Sequence, residues 1–269
     1  MRWLDALRAR WPTGHSAGGS IDDALWQATC GPLPFVAALP DAQLRRLRAL
    51  SARFLRDKEF HGANGLVITD AMALQVAVQA VLPLLHLPLA PAAALRWYDD
   101  FVGIVLHPGE VLAPREVTDE AGVVHRYREA LAGEAMEGGP VMLSWRDTAD
   151  AARSARQGCN LVIHEFVHKI DLRDGQPDGC PPLPDAAARR QWLAVLGEAF
   201  GDFRRRVIEA ERFGQPAPWL DSYGAEAIDE FFAVAAEAYF VQRERFGQEF
   251  PSLLALFDSF FRPGGATAP

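Results

Sequence analysis

The sequence has little cysteine, no long hydrophobic run and no excess of positive charge. Its cysteines, Cys30, Cys159 and Cys180, are odd in number and irregularly spaced among 269 residues, which argues against a disulfide framework. No stretch approaches the apolar length of a membrane span. The first residues, MRWLDALRARW, lack the apolar core of a signal peptide. We therefore expect a cytoplasmic protein that does not associate with membranes.

The formal net charge of −8 argues against binding of nucleic acid through bulk positive charge, so no direct nucleic-acid partner is expected. A hydrophobic content of 49% and a charged content of 23% are typical of a globular protein that buries a sizeable core. We predict one domain over residues 21–262. An N-terminal helix and loop at 1–20 and a flexible tail at 263–269 would flank it.

Hydrophobic periodicity predicts two early helices, at 41–57 and 69–83. β-Branched and aromatic runs then predict strands at 101–108, 122–127 and 140–145. The C-terminal half returns to helical spacing, with Gly175, Gly214 and Gly247 as stops, over 149–172, 186–213, 227–246 and 250–261. These patterns indicate an α+β fold, with N-terminal helices and a small mixed sheet packed on a helical core.

The segment NLVIHEFVHKID (160–171) places two histidines and a glutamate in an otherwise apolar helix. Charged groups are costly there unless they are paired or bind a metal. His164 and His168 are four residues apart, about 40° around the helix axis, so their rings can share one Zn²⁺. Glu165 flanks the pair, where it could act as the general base on a water molecule. We predict one Zn²⁺ per chain; the alternative is a histidine pair satisfied by backbone or carboxylate partners.

A tetrahedral catalytic zinc site needs a third protein ligand. Asp171 is the nearest acid, but an unbroken helix would separate its backbone from that of His164 by about 10.5 Å. We therefore expect Asp171 to orient a ligand or an arginine rather than to bind the metal.

Further acids lie downstream, in DSYGAEAIDEFFAVAAEAYF (221–240). Glu226 is expected in the first turn of this second helix, where the helix dipole alone explains an acid. Glu230 and Glu237 share a helix face two turns apart, so only one of them can reach a given metal. The spacing of the residues leaves the choice between these two open.

HEFVHKID followed by SYGAEAIDEFFAVAAEAYF resembles the Mlc titration factor A family of bacterial zinc metallopeptidases, whose catalytic core is similar to the protease domain of anthrax lethal factor. Segments at 59–72, 115–127 and 139–145 also resemble the family, so the resemblance covers about residues 20–260. It implies a zincin-type core with Glu230 as the third zinc ligand and Tyr223 as a catalytic tyrosine that stabilises the oxyanion. It also implies that Glu237 orients a ligand.

The resemblance implies an aminopeptidase-type enzyme that acts on peptides. The alternative is a regulatory protein that binds and titrates an Mlc-type transcriptional repressor of glucose uptake, with or without catalysis. A metal-stabilised scaffold without turnover is a third possibility, but an intact Glu165 and Tyr223 argue against it. The segment PVMLSW (140–145) could be an edge strand that pairs with a peptide or an interior strand, and both remain open.

Overall fold

The structure, a computed structural model, describes residues 21–109, 111–118, 124–131, 133–135 and 138–264. The predicted N-terminal helix and loop at 1–20 and the tail beyond residue 264 lie outside these ranges. The α-helices of the described residues are α1 (Asp23–Cys30), α2 (Pro34–Ala37), α3 (Asp41–Asp57), α4 (Asp70–Ala80), α5 (Pro91–Ala94), α6 (Trp145–Ala149), α7 (Ala151–Ser154), α8 (Leu161–Asp171), α9 (Ala186–Phe213), α10 (Ile228–Val241), α11 (Arg243–Glu249) and α12 (Pro251–Phe261). The strands are β1 (Glu59–Gly62), β2 (Gly103–His107), β3 (Val111–Thr118), β4 (Val124–Leu131), β5 (Gly133–Ala135) and β6 (Val141–Ser144). The predicted α+β class is confirmed.

A four-stranded mixed sheet has the order β1-β2-β6-β5. The first three strands are parallel, with Ile104 of β2 opposite Val141 of β6, and β5 runs antiparallel to β6. β3 and β4 form a separate antiparallel pair. Because β6 lies between β2 and β5, the segment at 140–145 is an interior strand, and the edge-strand alternative is wrong.

Helices α8 and α10 pack against each other in the middle of the hydrophobic core. Helix α8 buries most of its apolar residues, and Phe166 and Val167 are among those with no exposed surface. Helix α10 turns fully buried alanines, such as Ala235 and Ala236, into the core, and side chains of this size let two helices approach closely. This close packing brings the polar residues of the two helices to one place.

The predicted continuous helix over 149–172 is wrong. The chain forms the short helices α6 and α7 and a 3₁₀ turn at 155–157, and then breaks at Gly158, which has a φ of +88°. Asn160 begins α8, because its side chain accepts a hydrogen bond from the backbone N–H of Ile163 at 3.0 Å. A left-handed glycine followed by an asparagine N-cap is therefore the physical reason for the break.

The predicted helix over 227–246 also divides, because α10 ends at Val241 and α11 follows after Gln242. Gln242 is non-helical, and its side chain donates a hydrogen bond to the Ala155 carbonyl at 3.0 Å. Gly247 lies inside α11 and is not a stop. Gly214, by contrast, ends α9 in the left-handed conformation as predicted.

None of the helices within the described ranges is long and apolar enough to cross a membrane. Cys30, Cys159 and Cys180 are all free thiols.

Candidate metal centre

The histidine pair lies on α8 with its rings directed to the same side. The ring centroids of His164 and His168 are 4.8 Å apart, and the two Nε2 atoms are separated by 3.1 Å. Each side chain is only 12% exposed, because α8 packs in the hydrophobic core through its apolar residues. The one-turn spacing thus brings the two Nε2 atoms to one point, as the sequence predicts.

Helix α10 brings Glu230 close to the Nε2 atoms of both histidines. Its first turn carries the glutamate, whose Oε2 lies 3.1 Å from Nε2 of His164 and 3.3 Å from Nε2 of His168. His164, His168 and Glu230 form a group that could hold a metal ion. Of the two acids that spacing left open, Glu230 is the one that meets both rings.

The spacing of these atoms fits zinc. In a tetrahedral site with bonds of about 2.0–2.1 Å, neighbouring ligand atoms lie about 3.3–3.4 Å apart. The three separations in the structure are 3.1, 3.1 and 3.3 Å, and the donors are two imidazoles and a carboxylate. A donor set of this kind with three protein ligands is typical of catalytic zinc sites.

Glu237 lies two turns further along α10 and contacts the opposite side of the His164 ring. Its Oε1 is 2.7 Å from Nδ1 of His164, and its Oε2 accepts a hydrogen bond from the backbone N–H of Asn160. Glu237 therefore faces the back of His164, while Glu230 faces Nε2. This geometry matches the orienting role that the resemblance implies.

Behind Glu237 lies a buried amide pair that sequence reasoning did not identify. The side chains of Asn160 and Gln79 are both fully buried, and Nδ2 of Asn160 donates to Oε1 of Gln79 at 2.7 Å. Gln79 lies on α4, and its own amide donates to the Gln75 carbonyl at 2.8 Å. The N-terminus of α8 is thereby fixed against α4. The Gly-Cys-Asn sequence was the available signal for Asn160, whereas no sequence signal indicates Gln79.

Glu165 lies beside the histidine pair and is almost fully buried, with 5% of its surface exposed. Burial raises the pKa of its carboxyl to about 7, although the neighbouring His164 and His168 act in the opposite direction. In the metal-free chain a carboxyl with this pKa changes its protonation state close to neutral pH.

His164 and Glu230 shift each other's pKa values in opposite directions. Burial alone would lower the pKa of His164, but hydrogen bonds with Glu230 and Glu237 outweigh it and raise the pKa well above its ordinary value. Burial alone would raise the pKa of Glu230, but hydrogen bonds from His164 and His168 outweigh it and bring that pKa well below its ordinary value. A bound divalent cation would replace the Nε2 protons that face Glu230, while the Nδ1 proton of His164 would stay with Glu237.

Tyr223 lies in a 3₁₀ turn, Ser222–Ala225, just before α10. The carboxylate of Asp221 begins this turn by accepting the backbone N–H of Tyr223 at 3.0 Å. The phenol hydroxyl donates to Oε1 of Glu230 at 3.2 Å, and the ring centroid is 6.1 Å from that of His164. The side chain therefore lies next to the candidate ligands and remains partly exposed.

Two acids considered from the sequence lie elsewhere. Asp171 is fully buried, and within the described ranges its carboxylate makes no hydrogen bond with His164, His168 or an arginine; its Oδ2 accepts the backbone N–H of Gly179 at 3.0 Å. Glu226 precedes α10 rather than occupying its first turn, which contains Asp229 and Glu230. The expectations for Asp171 and for the position of Glu226 are therefore wrong. Asp171 is the last residue of α8, so its side chain meets the loop that follows the helix. Glu226 follows the 3₁₀ turn Ser222–Ala225 and lies ahead of α10, which begins at Ile228.

A buried helix with a histidine pair and an adjacent glutamate, met by an acid from a second helix, is typical of zinc metallopeptidases. Residues 7–262 match the family described as Glucose-regulated metallo-peptidase M90. The match spans nearly the whole chain, and the chain belongs to this family. The predicted family resemblance is confirmed.

Three relatives that carry the name Mlc titration factor A illustrate the similarity. The protein from Edwardsiella ictaluri (strain 93-146) is 33% identical over 256 residues, which cover 94% of this chain and 92% of that protein. The protein from Salmonella arizonae (strain ATCC BAA-731 / CDC346-86 / RSK2980) is 31% identical, with 94% and 96% covered. The protein from Cronobacter sakazakii (strain ATCC BAA-894) is 30% identical, with 94% and 91% covered.

Proposed function

We propose that this chain is a zinc-dependent metallopeptidase that hydrolyses peptide bonds. The observation that carries the proposal is the convergence of Nε2 of His164, Nε2 of His168 and Oε2 of Glu230, which lie 3.1–3.3 Å from one another. Three protein ligands of these types leave the fourth position of a catalytic zinc ion to water or substrate. Membership of a metallopeptidase family supports the same function.

We assign to the residues around this centre the roles that peptide hydrolysis requires. Zinc held there would polarise the substrate carbonyl and lower the pKa of a water molecule. Glu165, which lies beside the histidine pair and is almost fully buried, would take the proton of the attacking water and pass it to the leaving amine. Tyr223 would turn its hydroxyl from Oε1 of Glu230 to the oxyanion that develops on the substrate. Glu237 would keep the His164 ring in place.

The test combines metal analysis with peptide hydrolysis. The purified chain should contain one zinc per molecule, and His164→Ala and His168→Ala should lose it because a ligand is missing. Glu165→Gln should keep the metal and lose about 10²–10⁴-fold in turnover, because the ligands remain and the base does not. Full zinc occupancy in the His164→Ala/His168→Ala variant would exclude this site, and an active Glu165→Gln variant would exclude this mechanism.

An aminopeptidase-type preference is a narrower part of the proposal, and the family resemblance supports it. It is tested with matched peptides that differ only in N-terminal acetylation. An aminopeptidase should cleave the free peptide and leave the acetylated one intact. Equal rates on both peptides would make the chain an endopeptidase-type enzyme and would leave the proposed zinc chemistry unaffected.

A second candidate function is the capture of an Mlc-type transcriptional repressor. The names of the relatives at 30–33% identity favour it, because they describe titration factors for Mlc. A repressor homologue from the same organism should bind the purified chain, and binding that persists in Glu165→Gln would separate this role from catalysis. A repressor homologue that fails to bind both the wild type and Glu165→Gln would exclude it.

We also propose that the chain acts in the cytoplasm. Its cysteines are free thiols in the structure. Unpaired thiols are the usual state of cysteine in a reducing compartment. Fractionation of cells that express the chain would test the location.

A further inference from the structure

Gly133, the first residue of β5, is a glycine that backbone conformation does not explain. It pairs with Leu143 of β6 as an ordinary strand residue, and it is absent from the glycines with positive φ. Glycine weakens a strand because it contributes no side-chain packing and has high conformational freedom when unfolded. A glycine in such a place usually marks a close approach by another group.

The group that approaches Gly133 is the carboxylate of Glu165. A Cβ atom at residue 133 would lie 2.2 Å from Oε1, 2.6 Å from Cδ and 2.8 Å from Cγ of Glu165. These distances are all shorter than real Cβ contacts, so an alanine here requires a displacement. For Gly103, Gly158 and Gly179, by contrast, the nearest atoms to an added Cβ belong to residues outside the candidate metal centre.

Glu165 has little freedom to move away from such a side chain. Its side chain is enclosed, with only 5% of the residue exposed, so other atoms occupy most of the space into which the carboxylate could move. A close-packed surrounding transmits an added methyl group as strain or as displacement. The carboxylate would need to move by about 1 Å to reach ordinary contact distance, and a misplacement of this size costs about 10²-fold in rate.

We propose that Gly133 is a positioning residue: because it has no side chain, the backbone of β5 forms the wall that holds the Glu165 carboxylate beside the histidine pair. The evidence for contact between Gly133 and Glu165 is their packing, and it does not depend on what the protein does. The catalytic consequence of the contact rests on the proposed function, in which Glu165 is the general base.

The packing is tested by a stability cycle on the full chain as purified, with its metal content measured. Gly133→Ala should lower the unfolding midpoint by about 3–8 °C, because the methyl group overpacks the site. In the Glu165→Ala background the same substitution should leave the midpoint unchanged or raise it, because the space is open and alanine suits a strand better than glycine. Gly103→Ala is the matched control: it lies in β2 of the same sheet, and its Cβ would make an ordinary contact at 3.5 Å.

A Gly133→Ala variant that fails to fold supports the proposal if Gly133→Ala/Glu165→Ala folds. Failure of both variants would overturn it, since the glycine would then be needed for a reason other than Glu165. An equal shift of the midpoint in the two backgrounds would overturn it as well.

Kinetics test the consequence for catalysis. Gly133→Ala should retain its zinc and lower kcat by about 10²-fold, with KM nearly unchanged, because the base moves while the substrate contacts remain. Gly103→Ala should keep wild-type kinetics. A wild-type kcat in Gly133→Ala would refute the positioning role. A wild-type chain without turnover would instead refute the proposed function, and the stability cycle would still decide whether Gly133 holds Glu165.

Discussion

The two oxygens of Glu237 serve two different donors: Oε1 lies 2.7 Å from Nδ1 of His164, and Oε2 accepts the backbone N–H of Asn160. Glu237 is 7% exposed, so water does not readily replace either bond. A proton on Nδ1 leaves Nε2 of the neutral ring free to bind a metal. The carboxylate thus ties the ring orientation of His164 to the N-terminus of α8.

Glu237→Gln should weaken zinc binding by about 10–100-fold, which is the usual cost of losing a group that orients a metal ligand. Glutamine has the same shape, but its single carbonyl oxygen can accept from only one of the two donors, and its NH₂ group then faces the other. Competition with a chelator of known affinity measures the effect. Glu198→Gln, at an exposed acid of α9, is the control and should keep wild-type affinity. Wild-type affinity in Glu237→Gln would contradict the orienting role.

Tyr223→Phe should lower kcat by about 10²–10³-fold, the cost of removing one oxyanion donor, with little change in KM. The hydroxyl lies 3.2 Å from Oε1 of Glu230, so the zinc content of the variant must be measured alongside its rate. Retained zinc with lost turnover is the expected result. A fall in zinc affinity that accounts for the whole loss of rate would show instead that Tyr223 acts only by holding Glu230.

The helices of the C-terminal half show what sequence patterns can and cannot predict. Helix α9 matches its predicted bounds of 186–213, because Asp185 begins it with side-chain hydrogen bonds and Gly214 ends it in the left-handed conformation. Such caps are local, so the sequence contains them. The break after Val241 has no glycine or proline, and it coincides with a hydrogen bond from Gln242 to the distant Ala155 carbonyl. A boundary set by a tertiary contact leaves no local signal.

In the candidate site, too, features within one helix could be predicted from the sequence, whereas features that join two elements could not. The four-residue spacing of His164 and His168 predicts a shared focus, because both residues belong to one helix. The choice between Glu230 and Glu237 depends on how α10 is placed against α8, which helical spacing does not determine. The contact of Gly133 with Glu165 joins a strand to a helix across the fold, so a single glycine in the sequence could not reveal it.

Asp171 gives the chain a stability that depends on pH. It is fully buried, its Oδ2 accepts the Gly179 N–H, and its Oδ1 has no hydrogen-bond partner among the described residues. Burial raises the pKa of this carboxyl from 3.8 to about 7, despite the opposing effect of the Gly179 hydrogen bond. Between these two values the folded chain holds one more proton at this site than the unfolded chain. The free energy of unfolding therefore falls as pH rises, by at most about 1.4 kcal/mol per pH unit, and levels off above about pH 7.

Asp171→Asn should remove this pH dependence, because asparagine keeps an oxygen for Gly179 N–H and carries no charge at any pH. The free energy of unfolding of the variant, minus that of the wild type, should rise between about pH 5 and pH 7 and stay constant at higher pH. Urea denaturation of the metal-free proteins across this range measures the difference, which cancels the titration of groups common to both chains. Glu198→Gln serves as the exposed control and should show a flat difference. A flat difference for Asp171→Asn as well would mean that the folded chain accommodates the Asp171 carboxylate in its charged form without cost.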